Sequence, residues 1–93
     1  MMTEDHYRRD LAAKGYADPV EKTWEAGLFN DTHDHAQALY LRIATDEMTL
    51  EVEGENGSRK VTIGPGETIE VPGGCRHSER AGPQGVTFLV ASR

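Results

Sequence analysis

The chain predicts an all-β fold, a sandwich or closed barrel, behind one short N-terminal helix. Three observations carry that expectation. From residue 20 onward apolar residues recur at every second position, the period of a strand with one buried face. Tight Gly, Pro and Asn turns separate these stretches at roughly even spacing. Before residue 20 the pattern differs: Tyr7 and Leu11 stand four residues apart, on one face of a helix.

Residues 3–14 read as that helix. Thr3 suits the N-cap, Glu4 and Asp5 suit the positive first turn, and Gly15 suits the stop. Pro19 then disfavours helical backbone at Asp18. "VEKTWEA" (20–26) sets Val20, Lys22 and Trp24 on one face of a strand. "QALYLRIA" (37–44) sets Leu39, Leu41 and Ile43 inward, with Tyr40 and Arg42 opposite as surface or dimer contacts. "EMTLEVE" (47–53) alternates cleanly, with Met48, Leu50 and Val52 inward. "GENGS" (54–58) holds an Asn-Gly pair, a hairpin signal, and "RKVTI" (59–63) returns with Val61 and Ile63 inward. "GPGE" turns, "TIEVP" (68–72) points Ile69 and Val71 inward, and "PGGC" turns again. "GVTFLVA" (85–91) is apolar on both faces, as a strand between two sheets or at a dimer seam would be.

Bulk composition narrows the function classes. With 93 residues the chain suits one domain, and a second copy would supplement its small core as a homodimer. Ten Lys and Arg against sixteen Asp and Glu leave a net charge of −6. That argues against nucleic acid and against an anionic membrane surface, both of which need clustered positive charge. The Arg8-Arg9 pair sits among acids and reads as a solvated face. Cys75 is the single cysteine, so no internal disulfide framework exists. The first residues are charged throughout and no apolar run reaches span length, so the expected location is cytoplasmic.

Candidate chemistry gathers on histidines. His33 and His35 stand one residue apart, and on a strand both would point to one face, about 7 Å apart at Cβ. Followed along the same parity, the chain reads Gln37, Leu39, Leu41 and Ile43, so the imidazoles would open into the barrel. His77 follows the Pro-Gly-Gly turn, which aims the next strand's first side chain back inside. Three neutral imidazoles on neighbouring strands can share one metal and leave positions open for water or substrate. The competing reading is three polar residues lining a barrel mouth, each satisfied by water.

Two stretches resemble the paired motifs of the cupins. The first motif reads G-x5-H-x-H-x3-4-E-x6-G, and Gly27, His33 and His35 match it. The second reads G-x5-P-x-G-x2-H-x3-N, and Gly66, Pro72, Gly74 and His77 match it. The resemblance covers about residues 20–91. It implies a cupin-type double-stranded β-helix, or jelly-roll barrel, over residues 20–93, with a short N-terminal helix and turn over residues 1–19. This sequence departs from the motifs at three positions: the glutamate falls on Leu39, the last glycine on Asp46 and the asparagine on Ala81. In metal-binding cupins that glutamate is usually the fourth ligand. The resemblance therefore implies at most a three-histidine site, as in the thiol dioxygenases of the superfamily, while many cupins have lost the metal.

The expected metal ligands are His33, His35 and His77, and the expected cofactor is a divalent transition metal: Fe, Zn, Ni or Cu. Gln37 is an accessory oxygen on the same face, or a neutral neighbour. Cys75 is a metal-tuning thiolate or, more plainly, a small turn residue. Arg76 and Arg80 lie near His77 in sequence and are candidates to hold a substrate carboxylate. Asp31 and Glu79, each two residues from a histidine, are acceptors for an imidazole N–H or simply solvated rim. Trp24 reads as core or interface. There is no G-x-S-x-G nucleophile motif and no phosphate-cradling loop. Three functions compete: a non-haem, dioxygenase-like metalloenzyme acting on a small polar molecule, a non-enzymatic metal- or ligand-binding and sensing module, and a structural dimer with a vestigial site.

Overall fold

Helix α1 runs Glu4–Lys14 in the computed structural model, which describes residues 1–93. Its ends form as the caps predict. The Thr3 hydroxyl accepts from the His6 backbone N–H at 3.1 Å. Gly15 takes a left-handed φ of 79°, its N–H reaching the Ala12 carbonyl. Six strands follow: β1 (Val20–Trp24), β2 (Phe29–His33), β3 (Leu39–Gly54), β4 (Gly57–Ile63), β5 (Thr68–Val71) and β6 (His77–Ser92). No helix is long and apolar enough to cross a membrane.

Two 16-residue strands organise the barrel. β3 and β6 pair antiparallel from Leu39 opposite Ser92 to Val52 opposite His77. Their register shifts twice, between Ile43 and Thr45 and between Asp46 and Met48. Such irregularities bend a strand without ending it. On one side of the bend β5 pairs with β3 and β1 with β6. On the other, β4 pairs with β3 and β2 with β6. Two four-stranded layers therefore share two bent strands, which is a jelly-roll barrel.

The two strands expected at 37–44 and 47–53 are one strand, bent at Asp46, whose φ is 67°. The strand expected to begin at residue 85 begins at His77. Pro83 and Gly85 read as breakers in sequence, but they sit at the bend, where a strand tolerates them. Apart from His33, no residue of β2 was expected in a strand. Its residues, FNDTH, are mostly exposed and pair only with β6, so no alternation marks it.

Leu41, Ile43, Met48, Leu50, Ile63, Val71, Ala81, Val86 and Phe88 fill the space between the layers. Trp24 packs edge-on against Phe88, ring centroids 5.1 Å apart. A second core lies outside the barrel, where Tyr7, Leu11 and Tyr16 of the N-terminal segment cover Tyr40, Leu89 and Ala91. Tyr40, expected as a surface or dimer contact, is thus buried beneath α1. Its hydroxyl donates to Asp10 and its carbonyl accepts from the Tyr7 hydroxyl, both at 2.7 Å. The same helix covers the outer face of β6, so the apolarity of both faces of that strand is satisfied within one chain. Arg42, also expected on the outer face, donates to the Met2 carbonyl at 2.9 Å.

Candidate metal centre

The three histidines converge, though not from one strand. His33 ends β2, His35 lies in the loop after it, and His77 opens β6 directly across from His33. The expectation that a single strand carries the His33–His35 pair therefore fails at Asp34, where β2 has already ended. Convergence is instead held by the backbone. The Gly74 N–H donates to the His35 carbonyl at 2.7 Å, tying the His35 loop to the turn that delivers His77.

One ligand-capable nitrogen from each imidazole lies within 4.8 Å of the others. Ring centroids are 4.4 Å apart for His33 and His77, 4.9 Å for His33 and His35, and 5.6 Å for His35 and His77. Burial is graded: His77 is 1% exposed, His33 half-buried and His35 exposed. The cluster thus has a closed inner end and an open outer one.

Two tautomers follow from the surroundings. His33 Nδ1 lies 2.6 Å from the Asp31 carbonyl oxygen, and His77 Nδ1 lies 3.0 Å from the Cys75 carbonyl oxygen. A carbonyl only accepts, so each Nδ1 carries a hydrogen, and in the neutral form of either ring Nε2 is left as a lone-pair donor facing the cluster. Both Nε2 atoms are buried and neither has a hydrogen-bond partner. Metal-binding histidines are oriented in this way, by a hydrogen bond at the other ring nitrogen. The acceptors are main-chain carbonyls two residues before each histidine. The side chain of Asp31 instead accepts from the Thr32 N–H at 2.7 Å.

Other expected site residues lie outside the cluster. Gln37 is exposed and lines the adjoining cavity. The Cys75 thiol donates to the Glu53 carbonyl at 3.1 Å, so the residue serves His77 through its own carbonyl. Arg76 pairs with Glu53 at 3.6 Å. Arg80 stacks over the Phe29 ring, 4.4 Å from its centroid. The residue that sequence reasoning undervalued is Glu79. It is buried, with a carboxylate oxygen 3.2 Å from His33 Nε2 and 3.6 Å from His77 Nε2. Its parity with His77 on β6 was the available signal.

A cavity of about 290 Å³ opens beside the histidines. His35, Gln37, Asn30 and Glu79 form its polar side, while Trp24, Leu39, Phe88 and Val90 form its apolar side. Lys22 is its sole cation, as β1 parity expects from its place beside Val20 and Trp24.

The chain matches no protein-family model and no curated protein. Among solved structures it is similar to oxalate decarboxylase of Bacillus subtilis, including the structure at pH 4.6 and one used to assign the Mn(II) centres of that enzyme. Both comparisons give 24% identity and a TM-score of 0.74 over 80% of this chain. The chain spans 20% of the length of that enzyme. With two bent strands shared between its layers and histidines at both motif positions, the chain has the fold of a cupin domain, a jelly-roll barrel behind a short N-terminal helix.

Proposed function

We propose that this domain binds one divalent transition ion through His33, His35 and His77 and presents it to a small molecule in the adjoining cavity. The observation that carries this reading is the pair of buried, unpartnered Nε2 atoms on His33 and His77. Leaving a polar atom buried and unpaired costs about 1–3 kcal/mol, and two such atoms aimed at one point call for a shared partner. An ion satisfies both at once, with His35 as a third donor from the open side. Imidazole donors suit Fe, Zn, Ni and Cu. The Mn(II) centres named for B. subtilis oxalate decarboxylase support a divalent ion in this fold.

The cavity favours a small molecule with one polar or anionic end and an apolar body. Lys22 has no ion-pair partner within the chain and faces the same space as His35 and Gln37. Trp24 and Phe88 offer the apolar wall. Bound at the cluster, an ion would supply Lewis-acid polarisation or an acidified water. Metal-dependent chemistry of the oxygenase type is the enzymatic form of this reading.

The test is elemental analysis of freshly purified, untagged protein, together with thermal unfolding with and without added Fe(II) or Zn(II). Stoichiometric metal, or a raised midpoint on addition, is expected, and a His33→Ala, His77→Ala double variant is expected to lose it. No metal and no shift with either ion would end the reading. Oxygen uptake during a screen of small carboxylates then separates enzyme from binding module.

A further inference from the structure

We infer that Glu79 is a fourth ligand of the same ion, supplied from β6 in place of the glutamate that the first cupin motif sets at position 39. The inference rests on the three-histidine reading and adds to it one negatively charged donor.

Burial is the first argument. Glu79 is the one acidic residue among the buried residues of a chain with sixteen acids. A buried carboxylate requires a partner of opposite charge or strong donors. No Lys or Arg pairs with Glu79, and its side-chain hydrogen bond is a single donation from the Asn30 amide at 3.3 Å.

Its remaining close neighbours are the wrong kind for a hydrogen bond. The carboxylate oxygen sits 3.2 Å from His33 Nε2 and 3.6 Å from His77 Nε2. The carbonyls of Asp31 and Cys75 hold a ring hydrogen on each Nδ1, so in the neutral rings both Nε2 atoms present lone pairs. Neither contact has hydrogen-bond geometry. Three acceptors therefore face one another across a buried point, an arrangement that a cation in their midst makes favourable. The spacing agrees. Two donors each about 2.1 Å from one ion, at angles of roughly 90–120°, stand about 3.0–3.6 Å apart.

Strand geometry explains how position 79 replaces position 39. Residues two apart on a strand share a face, so Glu79 follows His77 into the interior. Across the β2–β6 ladder His33 faces His77 and Asn30 faces Glu79, which brings the orienting amide to the carboxylate. Position 39 is Leu, and it lines the apolar side of the cavity. In this chain the acid stands on the neighbouring strand, and the position of the motif's glutamate is cavity wall.

The test is metal affinity, measured on the full chain by titration of Zn(II) and Co(II) against a competing chelator. Glu79→Gln and Glu79→Ala are expected to weaken binding of both ions at least tenfold and to change the Co(II) absorption spectrum. An exposed acid, Glu51→Gln, is expected to leave both unchanged, and His77→Ala to abolish binding. If Glu79→Gln keeps wild-type affinity and spectrum while His77→Ala loses the ion, Glu79 is not a ligand and the three-histidine reading stands. That result also follows if a shared proton, rather than an ion, occupies the point. If His77→Ala binds as wild type does, both readings fall. Should the Gln and Ala variants not fold by circular dichroism, Glu79→Asp decides: one methylene shorter, it is expected to weaken binding, and wild-type affinity would overturn the inference.

Discussion

Gly73 lies directly against Ala36: a Cβ on Gly73 would stand 2.5 Å from the Ala36 carbonyl oxygen. The contact is to backbone, which has no rotamer by which to yield. Together with the hydrogen bond from Gly74 N–H to the His35 carbonyl, it locks the His35 loop onto the turn before His77. Gly73→Ala is therefore expected to push these two segments apart and to spread the histidines. The expected result is a fall of about 1–3 kcal/mol in stability, the usual range for overpacking, and a loss of Zn(II) affinity at least as large as that of a single ligand variant. Urea unfolding and chelator competition measure the two effects. Unchanged values in both would show that the close approach does not set the site.

The helix should act on stability without acting on the site. Leu11 and Tyr7 are both buried against the outer face of the barrel, and the Tyr7 hydroxyl donates to the Tyr40 carbonyl at 2.7 Å. Leu11→Ala is expected to cost about 2–5 kcal/mol, the range for a buried leucine. Tyr7→Phe, which removes that hydrogen bond while the β3–β6 ladder still serves the carbonyl, is expected to cost about 0.5–1.5 kcal/mol. Neither residue approaches the histidines, which open on the other side of the sheet. Metal affinity should stay within twofold of wild type in whichever variant remains folded. A tenfold loss in Tyr7→Phe would show that α1 supports the site through β3.

Much of the barrel was legible because alternation survives wherever one face of a strand meets the core. Met48, Leu50 and Ile63 were placed inward from their spacing alone, and all three are buried. Where alternation does not exist, the reading failed. β2 is an exposed edge strand, and nothing in FNDTH distinguishes it from a loop. Tyr40 was misplaced for a different reason: a single-layer view assigns its face to solvent, and only the docking of α1 buries it. The histidine cluster was legible through motif spacing, and the identity of its members did not depend on the strand assumed to carry them. Glu79 stands two residues after His77, the right parity for the same face. Its importance depends on the distance to His33, a contact across strands that no local pattern encodes.

Acid should loosen the helix before it disrupts the barrel. The Tyr40 hydroxyl, donating to Asp10, holds that carboxyl below the ordinary range, with Lys14 adding to the effect. The hydrogen bond from Lys14 does the same for Glu70, and Tyr16 assists. A carboxylate with a depressed folded-state pKa gives stability that is complete above its ordinary value, about 4, and lost as pH falls through the depressed one. Thermal midpoints should therefore fall below about pH 4. Glu70→Gln should flatten that acid limb while lowering the neutral plateau. An equally steep limb in the variant would place the acid sensitivity elsewhere. At the alkaline end the sign reverses. Burial, then the Asp10 hydrogen bond, pushes the Tyr40 hydroxyl up to about 12, so its contribution is present below about pH 10 and lost as pH rises through 12.

Asp46 occupies the position where the first cupin motif has its last glycine, and the reason for a glycine there is visible in the backbone. With φ at 67° it is the only non-glycine residue with positive φ, and it sits where β3 bends between two register shifts. Asp enters this region more readily than most residues, because its short polar side chain can hydrogen-bond to the nearby backbone. A β-branched residue does not. Asp46→Val is expected to destabilise by about 1–2 kcal/mol, the cost of left-handed backbone for such a side chain. Asp46→Gly should stay within about 1 kcal/mol of wild type, since relief of the strained φ offsets the added freedom of the unfolded chain. Paired urea titrations of the two variants decide the matter. Equal midpoints would mean that the bend is set by the β3–β6 ladder and not by the backbone at residue 46.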